Sequence, residues 1–378
     1  MKVATVLGTR PEIIRLSRVM AALDLSVDHT IIHTGQNYDY ELNQVFFEEL
    51  GIRKPDYVLD ASVLRPGCVA TTAEAIGNMI ARLDSLLARL QPDALLILGD
   101  TNSCFAAAYI AKRRKIPLFH MEAGNRSFDE RVPEEINRRI IDHISDINLP
   151  YSSIARDCLL QEGIPTDRVI KTGSPMFEVL EHYRSAISRS DVLSKLGLTP
   201  GEYFVVSSHR EENVDSPGRF EQFVKLLNGL AERYHQRIVV STHPRTRCRI
   251  DAKKLLLAPE VEFLKPFGLL DYVQLQMNAR VTLSDSGTIT EESSILHFPA
   301  LNLREAHERP EGMEEGSVIL TGFNADRVFE SIAVLSRQDQ ATLLTPSDYS
   351  FSNVSEKVVR IILSYTDYVN RVVWRRGL

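Results

Sequence analysis

The chain has 378 residues, 44% hydrophobic and 25% charged, with 44 basic against 50 acidic side chains and a formal net charge of −6. At roughly 150 residues per domain this suggests two domains. The acidic balance offers no footprint for a nucleic acid backbone, yet a few local cations suffice for an anionic small molecule. No apolar run approaches the ~18–20 residues that cross a bilayer, and no secretory leader is expected. Cys68, Cys104, Cys158 and Cys248 are far apart and form no C-x-x-C pair. Neither a disulfide framework nor a structural zinc is expected, and a reducing cytoplasm is the expected compartment.

Short apolar runs alternate with longer amphipathic stretches. Strands are predicted at Val3–Leu7, Thr30–Thr34, Ala94–Leu98, Leu118–Met121 and Asp146–Leu149. A second series runs Val169–Thr172, Tyr203–Ser207, Arg237–Ser241, Val261–Leu264, Val281–Ser284 and Ala300–Leu303. Between the strands lie helical stripes, such as Ile76, Met79, Ile80, Leu83, Leu86, Leu87 and Leu90. Such βαβα alternation indicates parallel sheets covered by helices on both faces. The polar stretch Glu181–Tyr203 separates two expected doubly wound domains, 1–185 and 195–350, and Ser355–Val373 reads as one long amphipathic helix.

Several signatures are absent. There is no G-x-G-x-x-G after a strand, no G-x-x-x-x-G-K-[ST], no H-E-x-x-H and no G-x-S-x-G. A nicotinamide enzyme, a P-loop NTPase, a zincin and an α/β-hydrolase all lose weight.

In open parallel sheets, ligands bind beyond the carboxyl ends of the strands. There the chain places Gly8-Thr9-Arg10-Pro11-Glu12, Gly99-Asp100-Thr101, Glu122-Ala123-Gly124-Asn125-Arg126, Ser208-His209-Arg210, Thr242-His243-Pro244-Arg245 and Asp285-Ser286-Gly287-Thr288. Small residues, carboxylates, histidines and arginines thus recur at one edge of both halves, and two such edges facing each other would form a charged cleft. Each group also has a bland reading. Asp100 suits the N-cap of a helix starting near Ser103. Glu122 suits a buried salt bridge with Arg126 or Arg10. Glu134 suits an i, i+4 pair with Arg138. A lone His209 suits a structural role. Amides at Gly287 and Thr288 suit either a phosphate or simple Asp/Ser capping.

Taken together, Gly8-Thr9-Arg10-Pro11-Glu12, Gly99-Asp100-Thr101, His120-Met121-Glu122-Ala123-Gly124, Pro133-Glu134-Glu135-Ile136-Asn137-Arg138, Ser284-Asp285-Ser286-Gly287 and Glu308-Arg309-Pro310-Glu311 resemble, in order, the motifs of the non-hydrolysing UDP-N-acetylglucosamine 2-epimerases. The resemblance covers about residues 1–375. It implies a glycosyltransferase-B-like α/β fold: two Rossmann-like doubly wound domains facing a central cleft, with a C-terminal helix, 353–378, crossing back to the first. It implies an isomerase, a cytoplasmic homodimer without redox cofactor or metal, serving bacterial surface-polysaccharide precursors such as those of lipopolysaccharide. Carried over by position, Asp100, Glu122, Glu134 and His209 match the catalytic set. Arg10, Phe267, Ser286, Gly287, Thr288, Glu292 and Arg309 match the UDP-binding positions. Asn125-Arg126-Ser127 stands where the main group has Leu-Arg-Thr, and Gly287-Thr288-Ile289-Thr290 where it has Gly-Gly-Ile-Gln. Thr34-Gly35-Gln36-Asn37-Tyr38-Asp39 replaces the usual Gln-His segment beside the family's regulatory site. These variants resemble the branch that forms UDP-N-acetyl-L-fucosamine from its 2-epimer.

The chemistry suits these residue types. Hydrogen at C2 of an N-acetylhexosamine has no adjacent carbonyl to acidify it. The family's solution is to eliminate UDP across C1–C2 and add it back with a proton on the other face. That calls for carboxylates near C2 and cations on the departing diphosphate. The competing expectation is a glycosyltransferase-B-type UDP-sugar transferase; a sugar-nucleotide-binding regulator without turnover is a third.

Overall fold

The structure, a computed structural model, describes residues 1–36, 44–59, 71–208, 217–242, 250, 256–339 and 342–376. The chain divides into two compact units, Met1–Glu181 with Phe351–Leu378, and His182–Ser350.

The first unit is built on six parallel strands: β1 (Lys2–Leu7), β2 (Asp28–His33), β3 (Tyr57–Val58), β4 (Ala94–Leu98), β5 (Leu118–Met121) and β6 (Ile147–Leu149). They lie in the order β3-β2-β1-β4-β5-β6. Central strands such as β4, Ala-Leu-Leu-Ile-Leu, are apolar throughout because helices cover both faces. The reversal of strand order falls between β1 and β4, the switch point where doubly wound sheets bind ligands. The helix Thr72–Leu90 turns Met79, Leu83, Leu86 and Leu87 into the core. The helix Val354–Val372 returns to pack on the helix Arg10–Ser26.

The second unit repeats the plan with β7 (Tyr203–Ser207), β8 (Arg237–Ser241), β9 (Val261–Leu264), β10 (Val281–Ser284), β11 (Ala300–Asn302) and β12 (Ile319–Leu320), in the order β12-β11-β10-β7-β8-β9. Its switch point lies between β7 and β10. Phe204, Val206, Phe220, Leu227, Ile238 and Leu283 lie at the centre of its main core.

The strand prediction at Val169–Thr172 is corrected: only Val169 forms a bridge, to Asn148 of β6. The Ile170 and Thr172 amides donate to the Asn148 and Pro150 carbonyls, but the pairing stops there, where Gly173 at φ +88° turns the backbone out of the extended region. The edge strands β3 and β12, two residues each, escaped prediction because such short pieces carry no alternation. Among the described residues, no helix is long and apolar enough to cross a membrane.

Candidate functional site

In the first unit, three strand ends converge on one edge. After β1, Gly8 packs so closely that an added Cβ would lie 2.2 Å from Thr34 Oγ1 and 2.4 Å from Ser103 Oγ. Thr9 then caps the helix Arg10–Ser26 in a capping box with Glu12. Arg10 opens that helix, its guanidinium 5.9 Å from the Phe46 ring centroid.

After β4, Gly99 adopts φ +80° and delivers Asp100. Asp100 is not the helix cap, as the sequence allowed. Thr101 takes that role, its hydroxyl accepting from the Cys104 amide at 3.1 Å. The Asp100 carboxylate instead receives Arg138 through Nε (2.9 Å) and Nη2 (2.6 Å). Asn137 Nδ2 donates to the Asp100 carbonyl at 3.0 Å. The helix Pro133–Ile144, which carries both donors, is thereby pinned to the Asp100 turn. Glu134, half-buried in the first turn of that helix, stands one turn before Arg138. Arg138 Nη1 reaches the fully buried Glu135 at 3.2 Å, so the guanidinium bridges Asp100 and Glu135.

After β5, Glu122 sits at φ +65°, a conformation a glutamate holds only under tertiary constraint. Its Oε2 lies 3.8 Å from where a Gly99 Cβ would stand, so Glu122 lies beside the Gly99–Asp100 turn. Glu122 is paired with Arg15, a cation the sequence reading did not propose. Arg126, which it did propose, forks instead to Asp142 (2.7 Å) and Glu162 (2.6 Å). Gly124, at φ +82°, turns the chain away between the two and donates its amide to Asp142. Arg126 pulls the Glu162 carboxyl below its ordinary value. His120 Nε2 donates to the Gly99 carbonyl at 2.8 Å.

Arg15 was missed in the sequence, although a signal was present: it is a charge inside the run Ile13-Ile14-Arg15-Leu16, and the side chain is 5% exposed. Such a buried cation requires a partner. Glu12 was quoted within a motif but given no role.

In the second unit the edge forms after β7, β10 and β11. Asp285, fully buried, accepts from the Ser208 hydroxyl at 2.9 Å. His209, the next residue, lies outside the described residues, as do Arg210, His243 and Arg245. Ser286 and Gly287 lead into the helix Thr288–Leu296. The Thr288 amide, which suits either a phosphate or an Asp/Ser cap by sequence, donates here to Ser286 Oγ at 3.3 Å. Glu292 is buried on that helix and accepts from Gln276 Nε2 at 2.8 Å. Arg309 is buried with its Nε 3.2 Å from Glu291. Phe267 is half-buried and packs beside Tyr203, Val205 and Leu275. Burial pushes the Glu311 carboxyl upward; the Tyr349 hydroxyl donates to it at 2.7 Å.

The first unit can therefore present two carboxylates, each set by its own arginine, with a third on the adjoining helix. The second can present a tight strand-to-helix turn beside buried charged groups. Likeness to known proteins bears on what this serves. A protein from Rickettsia bellii, solved as a UDP-N-acetylglucosamine 2-epimerase, superposes over the full length of both chains with a TM-score of 0.90 at 50% identity. The Methanocaldococcus jannaschii UDP-GlcNAc 2-epimerase, solved with UDP-GlcNAc and UDP, superposes with a TM-score of 0.89 at 34% identity, covering 96% of this chain and 100% of that one. A Pseudomonas aeruginosa UDP-2,3-diacetamido-2,3-dideoxy-D-glucuronate 2-epimerase is 33% identical over 336 residues, 88% of this chain and 91% of its own. The family model described as UDP-N-acetylglucosamine 2-epimerase matches residues 21–363. With its two Rossmann-like sheets and strand-end carboxylates, this chain belongs to the non-hydrolysing UDP-N-acetylglucosamine 2-epimerase family.

Proposed function

We propose that the protein is an isomerase that inverts C2 of a UDP-N-acetylhexosamine. The observation that carries this reading is the pair Asp100 and Glu122 at neighbouring strand ends, each on its own buried arginine. In the forward step a carboxylate takes the C2 proton, the C–H electrons form the C1=C2 double bond, and the C1–O bond breaks to release UDP. In the return step a proton reaches the opposite face of C2 and a diphosphate oxygen re-forms the bond to C1. Two faces require proton carriers held apart, and separately anchored carboxylates supply that; Glu134 adds a third from the helix start. A cluster of this kind also separates the affinities of its members for protons, as acid and base roles require.

The nucleotide falls to the second unit and Arg10. Diphosphate charge is favoured at the start of the helix Thr288–Leu296, where Ser286 has a small side chain and Gly287 none. Glu292 is assigned to ribose hydroxyls, Phe267 to the base, and Arg309 and His209 to the diphosphate side. No cofactor enters the reaction. A homodimer in the cytoplasm completes the proposal; sedimentation giving the mass of one chain would remove the dimer.

The test is incubation with a panel of UDP-N-acetylhexosamines, 6-deoxy-L sugars included, in deuterium oxide, with NMR at C2. The expected result is the C2 epimer carrying deuterium. An unchanged sugar that moves only when an acceptor is supplied would identify a transferase instead.

A further inference from the structure

Glu12 is buried in the first unit, and donors converge on both of its oxygens. Oε2 accepts from the Gly8 amide (2.8 Å), the Thr9 amide (2.6 Å) and the Thr9 hydroxyl (2.8 Å). Oε1 accepts from the Thr101 hydroxyl at 2.8 Å. The Cys104 thiol, 3.0 Å from Oε1, is shared with the Leu98 carbonyl. The first three donors belong to the turn that carries Arg10. The last two follow Asp100, in the cap and first turn of the helix Asn102–Arg114.

An ordinary capping box explains only the Thr9 contacts. The same unit contains such a box at Thr71, where Glu74 accepts from the Thr71 amide (2.8 Å) and hydroxyl (3.0 Å) at the start of an exposed helix end. Glu12 directs its second oxygen to residues 89 and 92 positions further along the chain. The packing around Gly8 leaves its turn no slack. We propose that Glu12 is a positioning residue for the epimerisation: it fastens the Arg10 turn to the Asp100 turn, so that cation and carboxylate meet the substrate as one rigid edge. The inference rests on the function proposed above and adds to it the element that couples two of its groups.

The test compares Glu12→Gln with Glu74→Gln. Glutamine keeps the shape but points an NH2 group at donors, so one side of the fastening must open. Glu74→Gln removes an equivalent cap that joins nothing else in the site. The expected result for Glu12→Gln is a fall in kcat/KM of about 10²-fold, the scale of a misplacement near 1 Å. Weaker UDP binding by calorimetry should accompany it, with an unchanged far-UV spectrum. Glu74→Gln should keep wild-type kinetics and UDP affinity. Normal kinetics in Glu12→Gln, or the same change in both variants, overturns the proposal. If Glu12→Gln does not fold, Thr101 decides. Thr101→Ser keeps the hydroxyl and should match wild type, Thr101→Val should lose rate, and equal rates for the two overturn the proposal. A wild-type protein that binds UDP but never epimerises refutes the assigned reaction instead, and the calorimetric comparison still reads the fastening.

Discussion

Replacing Arg15 by methionine tests how Glu122 is held. Methionine fills much of the same volume without charge, and the two side chains are 5% and 10% exposed. A surface pair contributes about 0–1 kcal/mol, whereas removing one partner of a buried pair costs about 3–5 kcal/mol. With Glu122 near the buried limit, about 3 kcal/mol is expected. Asn125, whose Nδ2 lies 3.4 Å from Glu122 Oε1, is too weakly placed to replace the arginine. If that energy holds the carboxylate where it works, its loss lowers kcat/KM by about two decades, at 1.36 kcal/mol per decade. The assay is a double-mutant cycle on epimerisation and on urea unfolding, with Arg15→Met, Glu122→Gln and the double variant. In the double variant neither charge is left without the other, so its loss of stability should be about 2 kcal/mol smaller than the sum of the single losses. Single losses that simply add would show that the pair does not couple and refute the reasoning.

Three further outcomes are expected. Gly124→Ala should cost at least about 2–3 kcal/mol and much of the soluble yield, because φ is +82° and the new Cβ would lie 2.2 Å from the Ala155 carbonyl oxygen, a backbone atom that cannot step aside; a wild-type melting curve would contradict this. Glu292→Ala should weaken UDP binding by about 1.5–3 kcal/mol through loss of a charge-assisted acceptor, read by calorimetry with UDP alone; unchanged affinity would place the ribose elsewhere. The folded-state affinity of Glu162 for protons is depressed by Arg126, so its stabilisation is present above the usual carboxylate value of 4.5 and is lost as pH falls through the lower folded value; urea midpoints of wild type and Glu162→Gln should therefore converge on acidification below about that pH, and a constant gap would remove the linkage.

Much of this architecture was legible. β4, β5, β7, β8, β9 and β10 have the predicted bounds; β4 and β7 are buried along their whole length, and strands of that kind are continuous apolar runs with sharp polar ends. The polar residues just past those ends also led to Asp100, Glu122 and Ser286. What stayed hidden was pairing. Arg15 meets Glu122 across 107 residues, and Arg138 meets Asp100 across 38. Local spacing proposes neighbours such as Arg126 for Glu122 and cannot weigh them against a distant cation. The capping role passed from Asp100 to Thr101, whose hydroxyl faces the Cys104 amide, while the Asp100 carboxylate takes a distant arginine. Glu12 drew no role from the sequence because its contacts to Gly8, Thr101 and Cys104 lie beyond what a capping motif specifies.

The return of the last helix has a consequence for how the protein is made. The second unit is inserted into the first, whose closing piece is Phe351–Leu378. Phe351 occupies the space beside Gly173 that a Cβ would need, Ser355 donates its amide to Glu178 at 2.9 Å, and Lys357 reaches the Thr172 carbonyl at 3.0 Å. One flank of the helix that bears Arg10, Glu12 and Arg15 is thus covered by residues made only after the whole second unit. During synthesis the second unit can complete its sheet while the first still waits with an apolar flank open. A stop introduced just after Ser350 would then spare the second unit and cripple the first, where the proposed proton carriers sit, and nascent-chain protection against proteolysis should reach the Arg10–Ser26 helix only once Val354–Val372 has emerged.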